Sequence, residues 1–166
     1  MVRAVAAAVV LQVWPLLAFL GGLLAVALAW FASSGDGVPA EMAWWFFKAA
    51  ALGLAGSFAL HEVAHVVVLK RLPHVTHIAI ERTMWRTSVI PAGTMTALQS
   101  AGVAVAGPSS CVIVGAGLWS MGLDRALAWW YLVHLVFLLP FFGDGRNLVH
   151  GLREAVALRR ARRTRE

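Results

Sequence analysis

The stretch FALHEVAHVVVLK, residues 58 to 70, sets two histidines and a glutamate in a run otherwise apolar enough to dissolve in lipid. Ionisable side chains at membrane depth are costly, and they tend to face a cavity, a partner or an ion. On an α-helix His61 and His65, four positions apart, share one face about 6 Å apart along the axis, with Glu62 beside them. His-Glu-x-x-His is the spacing of zinc hydrolases, though soluble chains also contain it by chance. Within an apolar helix the chance reading weakens. Each charged group there costs ~2.5 kcal/mol or more to insert, and a bound cation removes most of that cost.

The whole chain matches the character of that stretch. Of its 166 residues 60% are hydrophobic and 13% charged, against about 45–50% and about 25% in an ordinary soluble domain. This is the composition of an integral membrane protein. A helical crossing needs about 20 apolar residues, and four such runs nearly exhaust the length: about 4–31, 43–69, 97–121 and 127–142. The first is longer than the ~7–15-residue apolar region of a signal peptide and is therefore read as a span. The third is rich in Ser, Ala and Gly from Ser100 to Ser110, small residues that let helix backbones approach closely, so it belongs inside the bundle. The expected fold is an all-α integral membrane protein, a single domain over 1–166 built as a bundle of about four transmembrane helices. Between helices 2 and 3, the partial alternation in Val75-Thr76-His77-Ile78-Ala79-Ile80 predicts a short cytoplasmic β-hairpin or strand.

Charge sets the orientation. Lys70, Arg71, Arg82 and Arg86 follow the second run, and Arg146, Arg153, Arg159, Arg160, Arg162, Arg163 and Arg165 follow the fourth. The other two connections carry Asp36, Glu41, Asp124 and Arg125. The positive-inside rule then puts both termini and the 70–96 connection in the cytoplasm of a multi-pass cell-membrane protein. The same asymmetry explains the net charge of +6 without nucleic acid. The basic tail 146–166 either lies on anionic headgroups of the lipid bilayer or serves as a disordered topology anchor. Richness in alanine, arginine and valine suits a high-GC bacterium. Trp44, Trp45, Lys48, Trp129, Trp130 and Tyr131 read as interfacial anchors, and Met42, Met84, Met95 and Met121 have no soft-metal spacing.

Cys111 is the single cysteine, so a metal must be held by His, Asp or Glu. A catalytic zinc site takes three protein ligands, and Asp144 is the best third candidate. It lies between Gly143 and Gly145, where the backbone can leave the helix, towards the same membrane face as His65. The competing reading is that Asp144 caps 147–160 or pairs with Arg146.

At this point the chain resembles a family. His61-Glu62-Val63-Ala64-His65 in an early apolar helix, Ala106-Gly107-Pro108-Ser109-Ser110 in a later one, and Phe137-Leu138-Leu139-Pro140-Phe141-Phe142-Gly143-Asp144-Gly145 in the next resemble the signatures of the site-2 protease family of intramembrane zinc metalloproteases. The resemblance covers about residues 43–147. It implies Zn2+ held by His61, His65 and Asp144, Glu62 as the catalytic glutamate, and a membrane-protein or transmembrane-peptide substrate. It also implies that the 70–96 connection offers a strand edge to an extended substrate, for which Val75, Ile78 and Ile80 are the candidates. Two positions depart from the family pattern: Phe137 and Cys111 stand where an Asn is usual, and Pro140 and Asp144 are one residue closer together. His134 and Asn147 are the candidate replacements at the substrate, but His134 stands ~15 Å of helix from Asp144 at 1.5 Å per residue and so reads rather as a packing residue behind the ligands. The expected activity is zinc metalloendopeptidase cleavage near the cytoplasmic face. The alternative is a catalytically weak or inactive metal-binding membrane module that binds other membrane proteins. A haem protein using His134 with one of the other histidines would leave Asp144 unexplained.

Overall fold

A computed structural model describes residues 1–83 and 87–163. Met84, Arg86 and the end of the basic tail from 164 lie outside the described residues.

Ala, Val and Leu fill Val2–Ser34, which forms α1, about 50 Å long at 1.5 Å per residue. Gly35 ends it in the left-handed conformation at φ 75°, and its N–H donates to the Phe31 carbonyl oxygen at 2.8 Å, the arrangement that favours glycine after a helix. Pro39 then starts α2 (Val38–Lys48). A π-helical segment, Ala49–Ala55, joins α2 to α3 (Gly56–Leu69). That wider turn meets the fourth segment closely: a side-chain carbon at Gly53 would fall 2.6 Å from the Trp130 ring, and the Tyr131 hydroxyl donates to the Leu52 carbonyl at 3.0 Å. Trp130 and Tyr131 therefore pack between helices.

The expected hairpin is present. β1 (Val75–Arg82) pairs antiparallel with β2 (Thr87–Gly93), Ile78 opposite Pro91 and Ile80 opposite Val89. Ile78 joins Val5, Val66 and Leu69 in an apolar cluster, with Val75 and Ile80 packed against it. The hairpin is thus seated on α1 and α3.

Thr96 opens α4 (Ala97–Ser120) with a capping box, accepting from the Gln99 N–H while the Gln99 side chain accepts from the Thr96 N–H. Ala101, Ala104, Gly107, Pro108, Cys111 and Gly115 are its buried residues, a stripe at helical spacing that lets α3, α5 and the end of the chain approach. Asp124 caps α5 (Arg125–Leu132), accepting from the Leu127 N–H at 2.9 Å and from Lys48 Nζ at 2.7 Å.

The fourth segment is a broken helix and not the single span expected over 127–142. α5 tightens into a 3-10 turn at Val133–Leu138, stops, and resumes as α6 (Gly143–Arg163), the two parts bent by 43°. Pro140 is the physical reason, because it disfavours helical backbone at the preceding residue, and Leu139 is extended with ψ 145°. Gly145 makes the bend possible, since any side-chain carbon there would collide with the Leu138 and Leu139 carbonyl oxygens. Residues expected as a surface-lying or disordered tail are helical to Arg163, with Gly151 packed on Ala97 and Ala101 of α4.

The molecule is mostly helical with one small sheet. Among the described residues three helical stretches, Val2–Ser34, Val38–Leu69 and Ala97–Ser120, are long and apolar enough to cross a membrane, and the bent pair makes up to four. Phe19, Val26, Ile113 and Phe141 on the exterior are 68% to 75% exposed, which suits an apolar surrounding.

Candidate metal centre

α3 carries His61 and His65 one turn apart on its buried face, and both are less than 8% exposed. Asp144, in the first turn of α6, reaches the same point from the other side of the bend. Its Oδ2 lies 2.9 Å from His61 Nε2 and 3.5 Å from His65 Nε2, and the two Nε2 atoms are 3.1 Å apart. A tetrahedral ion with bonds of about 2.0–2.1 Å sets its ligand atoms roughly 3.3–3.4 Å apart. The triangle of donors is close to that size. These residues could hold a metal ion.

Two further observations test the fit. His65 Nδ1 is 2.8 Å from the Val103 carbonyl oxygen, and since a carbonyl can only accept, Nδ1 carries the hydrogen. In the neutral ring that leaves the lone pair on Nε2, pointed at Asp144 and His61. Histidines that bind metals are commonly oriented by such a bond to a backbone carbonyl. The third wall of the site is backbone: a side-chain carbon at Gly107 of α4 would sit 2.6 Å from His65 Nε2 and 2.8 Å from His61 Nε2. Glycine keeps open the space where an ion would sit.

Behind His61 lies a second polar group. His134, from the 3-10 turn, is 1% exposed, with Nδ1 3.1 Å from His61 Nδ1 and Nε2 3.0 Å from Ser57 Oγ. The Ser57 hydroxyl donates to the Leu54 carbonyl at 3.2 Å, and the Cys111 thiol to the Ser57 carbonyl at 3.3 Å. His61, Cys111 and His134 also bring three donor atoms within 4.8 Å of one another and could hold a metal, so the single cysteine, set aside on the sequence, is available as a donor beside two histidines. Phe58 and Phe137 close this group off, their rings 4.9 and 5.1 Å from that of His134.

Two cavities meet at the site. One, of about 380 Å3, is lined mainly by apolar groups of α1, the π segment and α3, together with Thr87, Phe137 and Phe142. The other, of about 590 Å3, carries Ser100, Arg146, Asn147 and His150. Glu62, Ser88, Gly143 and Asp144 border both.

The chain matches no family model, no curated protein and no solved structure.

Each predicted residue can now be placed. His61, His65 and Asp144 converge, and Glu62 stands in the wall between the cavities. Asn147 lines the second cavity. Val75, Ile78 and Ile80 pack into the apolar cluster under the hairpin, and it is β2, through Thr87, Ser88, Val89 and Pro91, that lines the cavities. His134 sits behind His61 and lines neither cavity. The expectation that His134 is remote from Asp144 assumed a straight helix, which the break at Leu139 removes. Sequence reasoning missed Ser57, whose signal was available: a hydroxyl four residues before His61, on the same face of an apolar helix.

Proposed function

We propose that this chain is an intramembrane zinc metalloprotease of the site-2 protease type, with His61, His65 and Asp144 as zinc ligands and Glu62 as general base. The observation that carries the proposal is the convergence of two imidazoles and a carboxylate on the bare backbone of Gly107, with a glutamate at the junction of an apolar and a more polar cavity. A structural metal site has no need of that glutamate.

Bound zinc supplies Lewis-acid polarisation of a scissile carbonyl and acidifies water. The protein does the rest. Glu62 accepts a proton from the attacking water and passes it to the departing amine. A membrane-spanning substrate helix must unwind before cleavage, because its carbonyls are otherwise bonded within it. An extended segment can be held by strand addition, here along β2, whose residues border both cavities. The more polar cavity, beside Arg146 and His150 at the basic end of the chain, is the route for water. The protein is read as a multi-pass protein of a bacterial cell membrane with cytoplasmic termini.

The second reading, a metal-binding module without catalysis, draws on Phe137, which packs its ring 5.4 Å from that of His61 where the family has a polar side chain. One variant separates the two. Glu62→Gln in detergent-purified protein is expected to retain zinc and to cleave a transmembrane peptide ~10²-fold or more slowly than wild type. Equal cleavage by both proteins, or none by either, contradicts the protease reading.

A further inference from the structure

The contacts behind His61 form a chain with a direction. Its far end is the Leu54 carbonyl, which can only accept, and the Ser57 hydroxyl donates its one hydrogen there at 3.2 Å. Ser57 Oγ is then an acceptor towards His134 Nε2 at 3.0 Å, so Nε2 bears the hydrogen of the His134 ring. In neutral His134 the lone pair is left on Nδ1, 3.1 Å from His61 Nδ1. His61 must donate across that contact. Its own lone pair is thereby fixed on Nε2, the atom that faces Asp144 and His65.

We propose that His134, held by Ser57, is a positioning residue that sets the tautomer and ring orientation of His61 for metal binding. The inference rests on the metal-centre reading above. It gives His61 what the Val103 carbonyl gives His65, a fixed acceptor at Nδ1. The difference is that His61 receives it from another element, the broken fourth segment, so the metal centre and the packing of the 3-10 turn on α3 are tied together. Full burial of Ser57, His134 and Cys111 keeps water from supplying the same bond.

The test compares side chains that preserve one end of the relay or the other. An Asn at 134 sets an amide oxygen near the position of Nδ1, whereas a Gln reaches the position of Nε2 and offers nothing at Nδ1. Zinc affinity is measured by chelator competition on the purified full chain, with zinc per chain determined by mass spectrometry. Relative to wild type, His134→Gln and His134→Phe are expected to lower zinc affinity ~10- to 100-fold, the scale of a lost outer partner, and His134→Asn is expected to recover most of it. Equal affinity in His134→Phe and wild type overturns the inference, as does an Asn variant no better than Gln, which would mark a packing role. Two zinc ions per chain, one of them lost in Cys111→Ala, would also overturn it by making His134 a ligand of a second metal. A wild-type chain that binds no zinc refutes the metal centre itself, and is distinguishable from all of these.

Discussion

Two regions build the candidate centre, and they do so by different means. α3 and α4 are helices in close contact, and their part of the site follows from helical periodicity: His61 and His65 one turn apart, and Gly107 on the small-residue stripe facing them. The segment from Val133 to Asp144 supplies its part by abandoning the helix. A 3-10 turn points His134 at His61, Pro140 interrupts the backbone, and Gly145 lets the chain turn tightly enough for Asp144 to reach the same point. The packed helix pair thus presents two imidazoles and a floor, and the bent segment closes over them with the carboxylate. If the segment lies within a membrane, as proposed, its non-helical backbone requires such enclosure within the protein.

The largest effect belongs to the helix pair. Gly107→Ala should abolish metal binding while leaving the fold in place, because the added methyl falls within 2.8 Å of both Nε2 atoms and takes the space between them. Metal content after zinc reconstitution, alongside helix content by circular dichroism, checks this. Wild-type occupancy in a folded Gly107→Ala protein would mean that the ion sits elsewhere, and the contrast between floor and lid would fail.

The comparison also explains what could be read from sequence. The helical spans and His61 with His65 were legible because a period of 3.6 residues and a run of apolar side chains are local signals. The small-residue stripe of α4 announced a buried helix for the same reason. Asp144 was reached through its glycines and its side of the membrane, without any indication of distance. The relay through Ser57 and His134 was not legible, because it depends on where a broken helix points one side chain. The hairpin was legible as alternation in Val75 to Ile80, but which strand would line the cavities was not, because that depends on the packing of Ile78 on Val66 and Leu69, which turns β1 inward.

The smallest effect lies at the opposite end of the molecule, where α2 and the start of α5 are joined by Lys48 and Asp124 at 2.7 Å. The Lys48 ammonium, with the Leu127 N–H, holds the Asp124 carboxyl below its ordinary pKa. A depressed carboxyl pKa contributes stability that is present above the ordinary aspartate range and is lost as pH falls through the folded value. Asp124→Asn should therefore cost no more than ~1 kcal/mol at neutral pH, with the variant and wild type converging in acid. Thermal unfolding across pH measures it. A gap that persists at low pH would mean that the cost of the substitution does not come from the ion pair with Lys48. Neither result should alter zinc content, which would confine the metal centre to the other end.

The central claim is that the bent segment delivers a metal ligand. It is tested most directly by zinc per chain in purified wild type and in Asp144→Ala, followed by chelator competition on both. The account predicts about one zinc in the wild type and a loss of affinity in the variant greater than the ~10- to 100-fold cost of an outer partner, since two imidazoles would remain without the carboxylate that completes the set of three donors. Equal zinc affinity in the two proteins would contradict it, and would leave Asp144 as nothing more than an acidic residue in the first turn of α6.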